Sequence, residues 1–348
     1  TNYAVLTNSH NGSNAFIGGL VGRVNVKSLV KNCTNEGTVT TSGTMSGNVY
    51  LGGIMGSNTG GAATIENCTN AATADITNSC SAAQIFLGGI LGNASVASVL
   101  NICTNSGDIL DEGLCSDAYA SNTTAGYART GGILGSSAGA ASLTDCTNSG
   151  KVEINAKSVY MNIGGIMGLN NTAAAVMTRC INNGSVVITP VNNGGNQVTR
   201  IAGIVGFSAI AGTVIEACEN YGDLKLDNNY SILRNWIGGA IGYCKTSKIN
   251  NGKYNAVLSR GTVGGGKVGG INGQNDTKGG ELGYNGLAGT ILGTVITAEN
   301  FNDYLHGTSA GYDTDKKVGN YFLETSAVTS AAGASEQLSS DLTNVNLN

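Results

Sequence analysis

The chain contains 348 residues, of which 54 are Gly and one is Pro, and its formal net charge is −4. Gly does not recur at every third position, which excludes collagen, and the hydrophobic fraction of 41% excludes a disordered chain. The weak negative charge provides no basic surface for nucleic acid, and no apolar run reaches the roughly 20 residues of a transmembrane helix.

A Gly-rich phrase begins at Phe16 and returns along most of the chain. Its copies are FIGGLVG (Phe16–Gly22), YLGGIMG (Tyr50–Gly56), FLGGILG (Phe86–Gly92), TGGILG (Thr130–Gly135), NIGGIMG (Asn162–Gly168), RIAGIVG (Arg200–Gly206), WIGGAIG (Trp236–Gly242) and KVGGING (Lys267–Gly273). The first residues of successive Gly pairs are 31 to 43 residues apart. Such repetition indicates a solenoid in which each repeat forms one coil.

A Cys-containing phrase alternates with the Gly-rich phrase. Its copies are CTNEG (Cys33–Gly37), CTNAA (Cys68–Ala72), CTNSG (Cys103–Gly107), CTNSG (Cys146–Gly150), CINNG (Cys180–Gly184) and CENYG (Cys218–Gly222). Each Cys follows the first position of its Gly pair by 15 or 16 residues, which predicts the same backbone path in every coil. A seventh copy at Ile249–Tyr254 has Lys248 at the Cys position. Spacing places Thr1 at the Asn position, and this incomplete first coil predicts further sequence upstream.

Apolar and polar residues alternate over short segments that Gly and Asn delimit, which favours strands over helices. We therefore predict an all-β fold, a single parallel β-helix (β-solenoid) of about eight coils of ~35 residues, each with about three strands. The solenoid is predicted to cover residues 1–295, and residues 296–348 form a capping segment with a short helix at Thr297–Leu305. Each Gly pair predicts a bend that turns both apolar faces inward, or otherwise a flat surface poor in side chains.

One Asn recurs two residues after each Cys. In parallel coils that stack in register, these side chains would lie about 4.8 Å apart, where they can hydrogen-bond one another and the turn backbone. The predicted structural ladder consists of Asn35, Asn70, Asn105, Asn148, Asn182 and Asn220.

The repeated Cys residues predict a second ladder, of buried free thiols. Its members are Cys33, Cys68, Cys103, Cys146, Cys180 and Cys218. Side chains in register point the same way, which disfavours disulfides between successive rungs. Cys80 and Cys115 each follow a ladder Cys by 12 residues and form the candidate disulfide. The Cys spacing is too wide for a zinc site, so no metal or cofactor is predicted.

The two interleaved phrases resemble the GLUG-type repeats of exported bacterial proteins, over about residues 1–275. Such repeats occur beside the catalytic domains of some IgA-cleaving metallopeptidases and in adhesins of gut anaerobes. The resemblance implies a scaffold displayed outside the cell or on its surface. The HExxH motif of the metallopeptidases does not occur in this sequence, so the resemblance implies no peptidase activity.

The function expected from these features is that of a non-catalytic, monomeric, adhesin-like module that binds glycans or a host or cell-surface protein. Aromatic residues in or beside the loops of variable length suit stacking on sugar rings, although the same rings could pack the loops. The candidate binding residues are Tyr119, Tyr127, Tyr230 and Trp236.

Two alternatives remain open from the sequence: a passive spacer or stalk, and a polysaccharide lyase or hydrolase on the same fold. The enzyme alternative needs acidic residues that converge, as a base, a carboxylate pair or a weak Ca²⁺ site. The acidic cluster that could supply them consists of Asp108, Asp111, Glu112 and Asp117.

Overall fold

The computed structural model is a parallel β-solenoid of about eight coils, which confirms the fold predicted from the repeat. Strands of successive coils pair in register, and among the described strands only Thr290–Ile291 and Thr294–Val295 pair antiparallel. The structure describes residues 1–9, 11–115, 127–156, 158, 160–189, 198–227, 234–260, 266–275, 280–307 and 316–324.

The Gly-rich phrase joins the first two sheets, which have eight strands each. The strands of the first sheet are Ala15–Gly18, Asn48–Gly52, Gln84–Gly88, Tyr127–Gly131, Tyr160–Gly164, Val198–Ala202, Arg234–Gly238 and Gly266–Gly269. Those of the second sheet are Val21–Val24, Met55–Asn58, Leu91–Ala94, Leu134–Ser137, Met167–Asn170, Val205–Ser208, Ile241–Cys244 and Asn272–Asn275.

The third sheet ends before each ladder Cys, and the fourth sheet begins with the two residues that follow it. The third sheet contains Ser28–Lys31, Ala63–Glu66, Ser98–Asn101, Ala141–Thr144, Val176–Thr178, Thr213–Glu216, Ser247–Asn250, Glu281–Gly283 and Lys316–Val318. The fourth contains Leu6–Asn8, Thr34–Asn35, Val39–Thr44, Thr69–Asn70, Ile76–Ala82, Thr104–Asn105, Ile109–Asp111, Leu114–Cys115, Thr147–Asn148, Val152–Ile154, Ile181–Asn182, Val186–Ile188, Glu219–Asn220, Leu224–Leu226, Lys253–Arg260, Gly286–Ile291, Thr294–Val295 and Tyr321–Phe322.

Each coil is divided more finely than the predicted three strands. The turn from Asn48 to Ala82, for example, contains five strands, because the chain bends at the Gly pair and again at the Cys phrase. At the second bend the residue before the Cys position has a left-handed backbone, with φ between 51° and 56° in all eight coils. These residues are Asn32, Asn67, Ile102, Asp145, Arg179, Ala217, Asn251 and Tyr284.

The hydrophobic core lies inside the coils, at the positions that the alternation predicts. Apolar residues three positions before each Cys from Cys68 onward, such as Ile65 and Leu100, are fully buried, and Val30 before Cys33 is partly buried. At the Gly pair, the chain turns at Gly53 and Ile54, and Leu51, Ile54 and Met55 are all fully buried. The Gly pair is therefore a bend that turns apolar residues from both faces inward, as predicted.

The Asn ladder is confirmed. Nδ2 of Asn70 donates to Oδ1 of Asn105 in the next coil at 2.8 Å and to the carbonyl oxygen of Ala74 at 2.8 Å. The same vertical hydrogen bond joins each successive pair from Asn2 to Asn220. Each buried amide from Asn35 to Asn182 thus has two acceptors for its N–H groups, which satisfies polar atoms that would otherwise destabilise the core.

The two repeated phrases meet inside the coil. A Cβ added to Gly89 would overlap the side chain of Asn105, and Gly53 and Gly132 stand in the same relation to Asn70 and Asn148. The second Gly of each pair therefore leaves the space that the Asn ladder occupies. This contact explains why the two phrases recur together at an almost constant separation.

The register corrects two positions inferred from spacing. Asn2 and not Thr1 pairs with Asn35, because the segment that follows is one residue shorter in the first coil. In the seventh coil Lys248 pairs with Val214 in the third sheet, and Tyr254 takes the Asn position opposite Asn220. The alignment of the two INNG segments is therefore four residues out of register with the structure. Ile249, the first residue of the second segment, lies in the core.

The predicted helix at Thr297–Leu305 is shorter in the structure, where a single 3-10 turn covers Phe301–Tyr304. Beyond it, Lys316–Val318 pairs with Glu281–Gly283 and Tyr321–Phe322 pairs with Gly286–Leu287, so the described part of the capping segment also contributes strands. Among the described residues, no helix has the length and apolar character required to span a membrane.

Candidate functional site

The bend at the Gly pair brings together side chains on the outer faces of the first and second sheets. Val49 and Leu51 are fully buried in the core, so Tyr50 between them points away from it. The residues in register with Tyr50 form the first-sheet row: Phe16, Tyr50, Phe86, Arg129, Asn162, Arg200, Trp236 and Lys267. The second-sheet row consists of Arg23, Ser57, Asn93, Ser136, Leu169, Phe207, Tyr243 and Gln274.

Contacts within single coils show that the two rows face each other across the bend. The guanidinium carbon of Arg23 lies 4.7 Å from the ring centre of Phe16. In the seventh coil, Trp236 and Tyr243 have ring centres 4.7 Å apart, and Trp236 Nε1 also donates to Gln274 Oε1 of the next coil at 2.7 Å. We call the channel between the two rows, together with Tyr127 and Tyr160 at its edge, the aromatic notch.

Aromatic rings in the notch stack along the solenoid. Ring centres of Phe16 and Tyr50 are 4.7 Å apart, as are those of Tyr50 and Phe86, and the Tyr127 and Tyr160 rings are 4.8 Å apart. These separations equal the spacing of hydrogen-bonded strands, about 4.8 Å, so the backbone register itself stacks the rings. Tyr50, Tyr127 and Tyr160 remain partly exposed, which leaves ring surface available to a ligand.

Arg129 lies in the middle of the stacked rings. Its guanidinium carbon is 4.4 Å from the ring centre of Phe86 and 4.7 Å from that of Tyr127. The residue is only 9% exposed, and burial lowers the pKa of the guanidinium to about 10, which keeps it charged at neutral pH. Its Nε is buried and has no hydrogen-bond partner among the described residues.

Arg200, two coils further on, is held differently. One of its terminal nitrogens donates to Oδ1 of Asn162 at 2.8 Å, and its guanidinium lies 4.0 Å from the ring centre of Phe207. The rings of Tyr160, Trp236 and Tyr243 surround it at 5.3 to 5.8 Å. Cation–π contacts thus anchor this arginine within the wall of the notch.

The structure brings one predicted binding residue, Tyr127, into the notch with part of its ring exposed. Trp236, the other candidate within the described residues, is only 7% exposed, because the second-sheet row covers it. Tyr119 and Tyr230 lie outside the described residues. Sequence reasoning missed Tyr50, Phe86, Arg129 and Tyr160, although three of them lie within two positions of a Gly pair.

The acidic cluster considered for Ca²⁺ does not converge in the described part of the chain. Asp111 points into the core, whereas Asp108 is exposed and accepts a hydrogen bond from the backbone N–H of Lys151 at 2.7 Å. Glu112 is exposed and Asp117 lies outside the described residues. Among the described side chains no group of three or more potential ligands could hold a metal ion.

All nine cysteines are free thiols in the structure, so the candidate disulfide between Cys80 and Cys115 is not formed. Cys115 pairs with Ala82, two residues along the strand from Cys80. The ladder thiols from Cys68 onward are buried, and burial raises the pKa of Cys68 to about 11. The Cys ladder is therefore a column of free thiols, buried from Cys68 onward, as expected.

Comparison of the chain with protein-family models, with curated proteins and with solved structures found no match. The resemblance to GLUG-type repeats therefore stays an expectation that rests on the two sequence phrases.

Proposed function

We propose that the protein is a non-catalytic, adhesin-like module, displayed outside the cell, that binds a glycan along the aromatic notch. The observation that carries this proposal is a pair of stacked columns with partly exposed rings, Tyr50 in one and Tyr127 and Tyr160 in the other. A sugar ring presents an apolar face to an aromatic ring and hydroxyl groups at its edge, so it suits a surface with both ring faces and polar groups.

The scaffold supports such binding because it holds the rings in place before the ligand arrives. Every ring in the two columns is attached to a strand that pairs with neighbouring coils. Polar side chains such as Asn48, whose Nδ2 donates to Tyr50 Oη at 2.9 Å, lie among the rings. Little conformational entropy remains to be lost when a ligand binds such a surface.

A glycan array probed with the full chain tests the proposal. We expect retention of specific glycans, and a loss of at least tenfold in affinity, about 1.4 kcal/mol, when Tyr127 and Tyr160 are both replaced by Ala. Tyr3→Ala is the matched control, because Tyr3 is 72% exposed and lies outside the notch. Retention that is unchanged in the double variant, or equally reduced in the control, would refute a role for the notch.

The same experiment separates the two alternatives. A passive spacer retains no glycan of any class, whereas a lyase or hydrolase releases unsaturated or reducing-end products from a bound polysaccharide. No Asp or Glu lies in either row of the notch, all of whose residues the structure describes. We therefore expect binding without product release.

A further inference from the structure

We propose that Arg129 is the anion-recognition residue of the notch and that the glycan is acidic, with the carboxylate of a uronic or sialic acid on the guanidinium. This inference rests on the proposed glycan-binding function and names the class of glycan.

Arg129 is a buried cation, and the described part of the chain supplies no counter-ion for it. No Asp or Glu there forms an ion pair with it, and its Nε makes no hydrogen bond to any residue that the structure describes. Burying a charge without a partner costs free energy that the two flanking rings offset only in part. A carboxylate can accept two parallel hydrogen bonds from one guanidinium, so an acidic ligand supplies the missing partner.

The charge of the notch points in the same direction. The two rows hold four basic residues and no acidic ones, although the whole chain has 22 acidic residues against 18 basic ones. The basic residues are Arg23, Arg129, Arg200 and Lys267. An anionic ligand would therefore meet attraction along the notch and no carboxylate that repels it.

The spacing suits a polymer with regularly placed carboxylates. Asn162 occupies the one rung between Arg129 and Arg200, so the two arginine rungs are about 10 Å apart at about 4.8 Å per coil. That separation is similar to the length of one disaccharide in an extended chain. The rings of Tyr127 and Tyr160 lie beside these rungs and offer stacking faces to the sugars between the carboxylates.

The ring contacts favour a carboxylated sugar over an inorganic anion or a phosphate group. The guanidinium of Arg129 lies between the Phe86 and Tyr127 rings, so the bound anion has to sit next to apolar ring surface. A uronic or sialic acid combines a carboxylate and a ring with apolar C–H groups in one unit, and it can satisfy both features.

Binding of the full chain to alginate, to polysialic acid and to carboxyl-reduced alginate tests the inference by calorimetry. Alginate carries uronates, polysialic acid carries sialates, and carboxyl reduction removes the charge and keeps the neutral backbone. We expect one of the acidic polymers to bind at least tenfold more tightly than carboxyl-reduced alginate, and Arg129→Met to abolish that preference.

Arg179→Met is the matched control, since it removes the same charge from an exposed arginine that pairs with Asp145 at 2.6 Å outside the notch. It should keep the preference. Arg129→Met should fold, because the uncharged residues Phe86 and Asn162 occupy the adjacent rungs. The carboxyl-reduced polymer supplies a readout that needs no variant.

The outcomes distinguish this inference from the proposed function. Equal affinity for acidic and carboxyl-reduced alginate, with no binding of polysialic acid, would overturn the inference and leave glycan binding intact. An equal loss of affinity for the acidic polymer in Arg129→Met and Arg179→Met would show that net charge alone attracts the polymer. That result would also overturn the inference. If no polymer or arrayed glycan binds, both proposals are wrong.

Discussion

Asp111 places a carboxyl group inside the coil, where water does not reach it. Its Oδ1 accepts hydrogen bonds from Asn78 Nδ2 at 2.8 Å and from the backbone N–H of Gly113 at 3.0 Å, and its Oδ2 has no partner among the described residues. Burial outweighs these hydrogen bonds and raises the pKa of the carboxyl group to about 6. The folded chain therefore binds a proton here that the unfolded chain releases near pH 4.

This shift predicts that Asp111 lowers stability as the pH rises. Below about pH 4 the group is protonated in both states, and above about pH 6 its ionisation disfavours the folded state by roughly 3 kcal/mol, from about two pKa units. Asp111→Asn should therefore raise the free energy of unfolding at pH 7.5 and leave it nearly unchanged at pH 4. Urea unfolding at the two pH values measures the difference.

Asp108→Asn is the control for that comparison, because the same substitution is then made on an exposed side chain three residues earlier. It leaves the Asp111 carboxyl group in place, so the pH dependence that Asp111 contributes should persist in this variant. If Asp111→Asn raises the free energy of unfolding as much at pH 4 as at pH 7.5, ionisation of Asp111 is not the source of the gain.

Ile102 has a β-branched side chain on a left-handed backbone, with φ of 53°. The side chain is 51% exposed, so the strain of this conformation has little burial to offset it. Asn67 and Asp145 occupy the adjacent coils at this position, and such residues tolerate left-handed backbone better. Ile102→Asn should raise the free energy of unfolding by about 1 kcal/mol.

Val99→Asn provides the comparison for Ile102→Asn, because Val99 is an exposed apolar residue on an extended strand of the same coil. It should give no stabilisation in the same urea titration. If both substitutions change stability equally, the left-handed backbone is not the source of the effect.

At the scale of the elements, the Asn ladder joins successive coils from Asn2 to Asn220. Asn105→Ala would remove its hydrogen bonds to Asn148 Oδ1 and to the carbonyl oxygen of Gly107, and would leave a cavity beside Gly89. Because buried polar atoms lose their partners, we expect a loss of about 2 to 4 kcal/mol in the free energy of unfolding.

Thr104→Ala gives a matched measurement, since Thr104 is the neighbouring residue of the same short strand and is partly exposed. We expect it to cost less than about 1 kcal/mol. A similar loss in both variants would mean that the ladder contributes no more than an ordinary strand position.

The ladder and the bend could be predicted from the sequence because the same residue recurs at each of their positions. The notch could not, since Phe86, Arg129 and Asn162 occupy one register position without sharing any chemistry. Only the register shows that they lie in one row, and only the bend shows which row faces them. The burial of Trp236 could not be predicted for the same reason, because the residues that bury it, such as Tyr243, lie on another sheet.

At the scale of the whole molecule, stacking the coils closes the thiols off from solvent. Cys33, in the first coil, is partly exposed, and the other eight cysteines are buried. In the reduced native protein we expect one thiol to react quickly with a disulfide reagent and eight to react only as fast as the solenoid unfolds. Cys33→Ser should remove the fast phase. Several fast thiols in the native protein would contradict the closed column.

Each asparagine from Asn35 to Asn182 accepts one hydrogen bond from the coil before it and donates one to the coil after it, always in the same direction. An additional coil inserted into the stack would therefore contribute an Oδ1 acceptor for the Asn of the preceding coil and an Nδ2 donor for the Asn of the following coil. Duplication or loss of a whole repeat in the gene would change the length of the rod without requiring any new interaction. The notch would lengthen or shorten by one rung at the same time, so the reach of the binding surface could evolve separately from the stability of the scaffold.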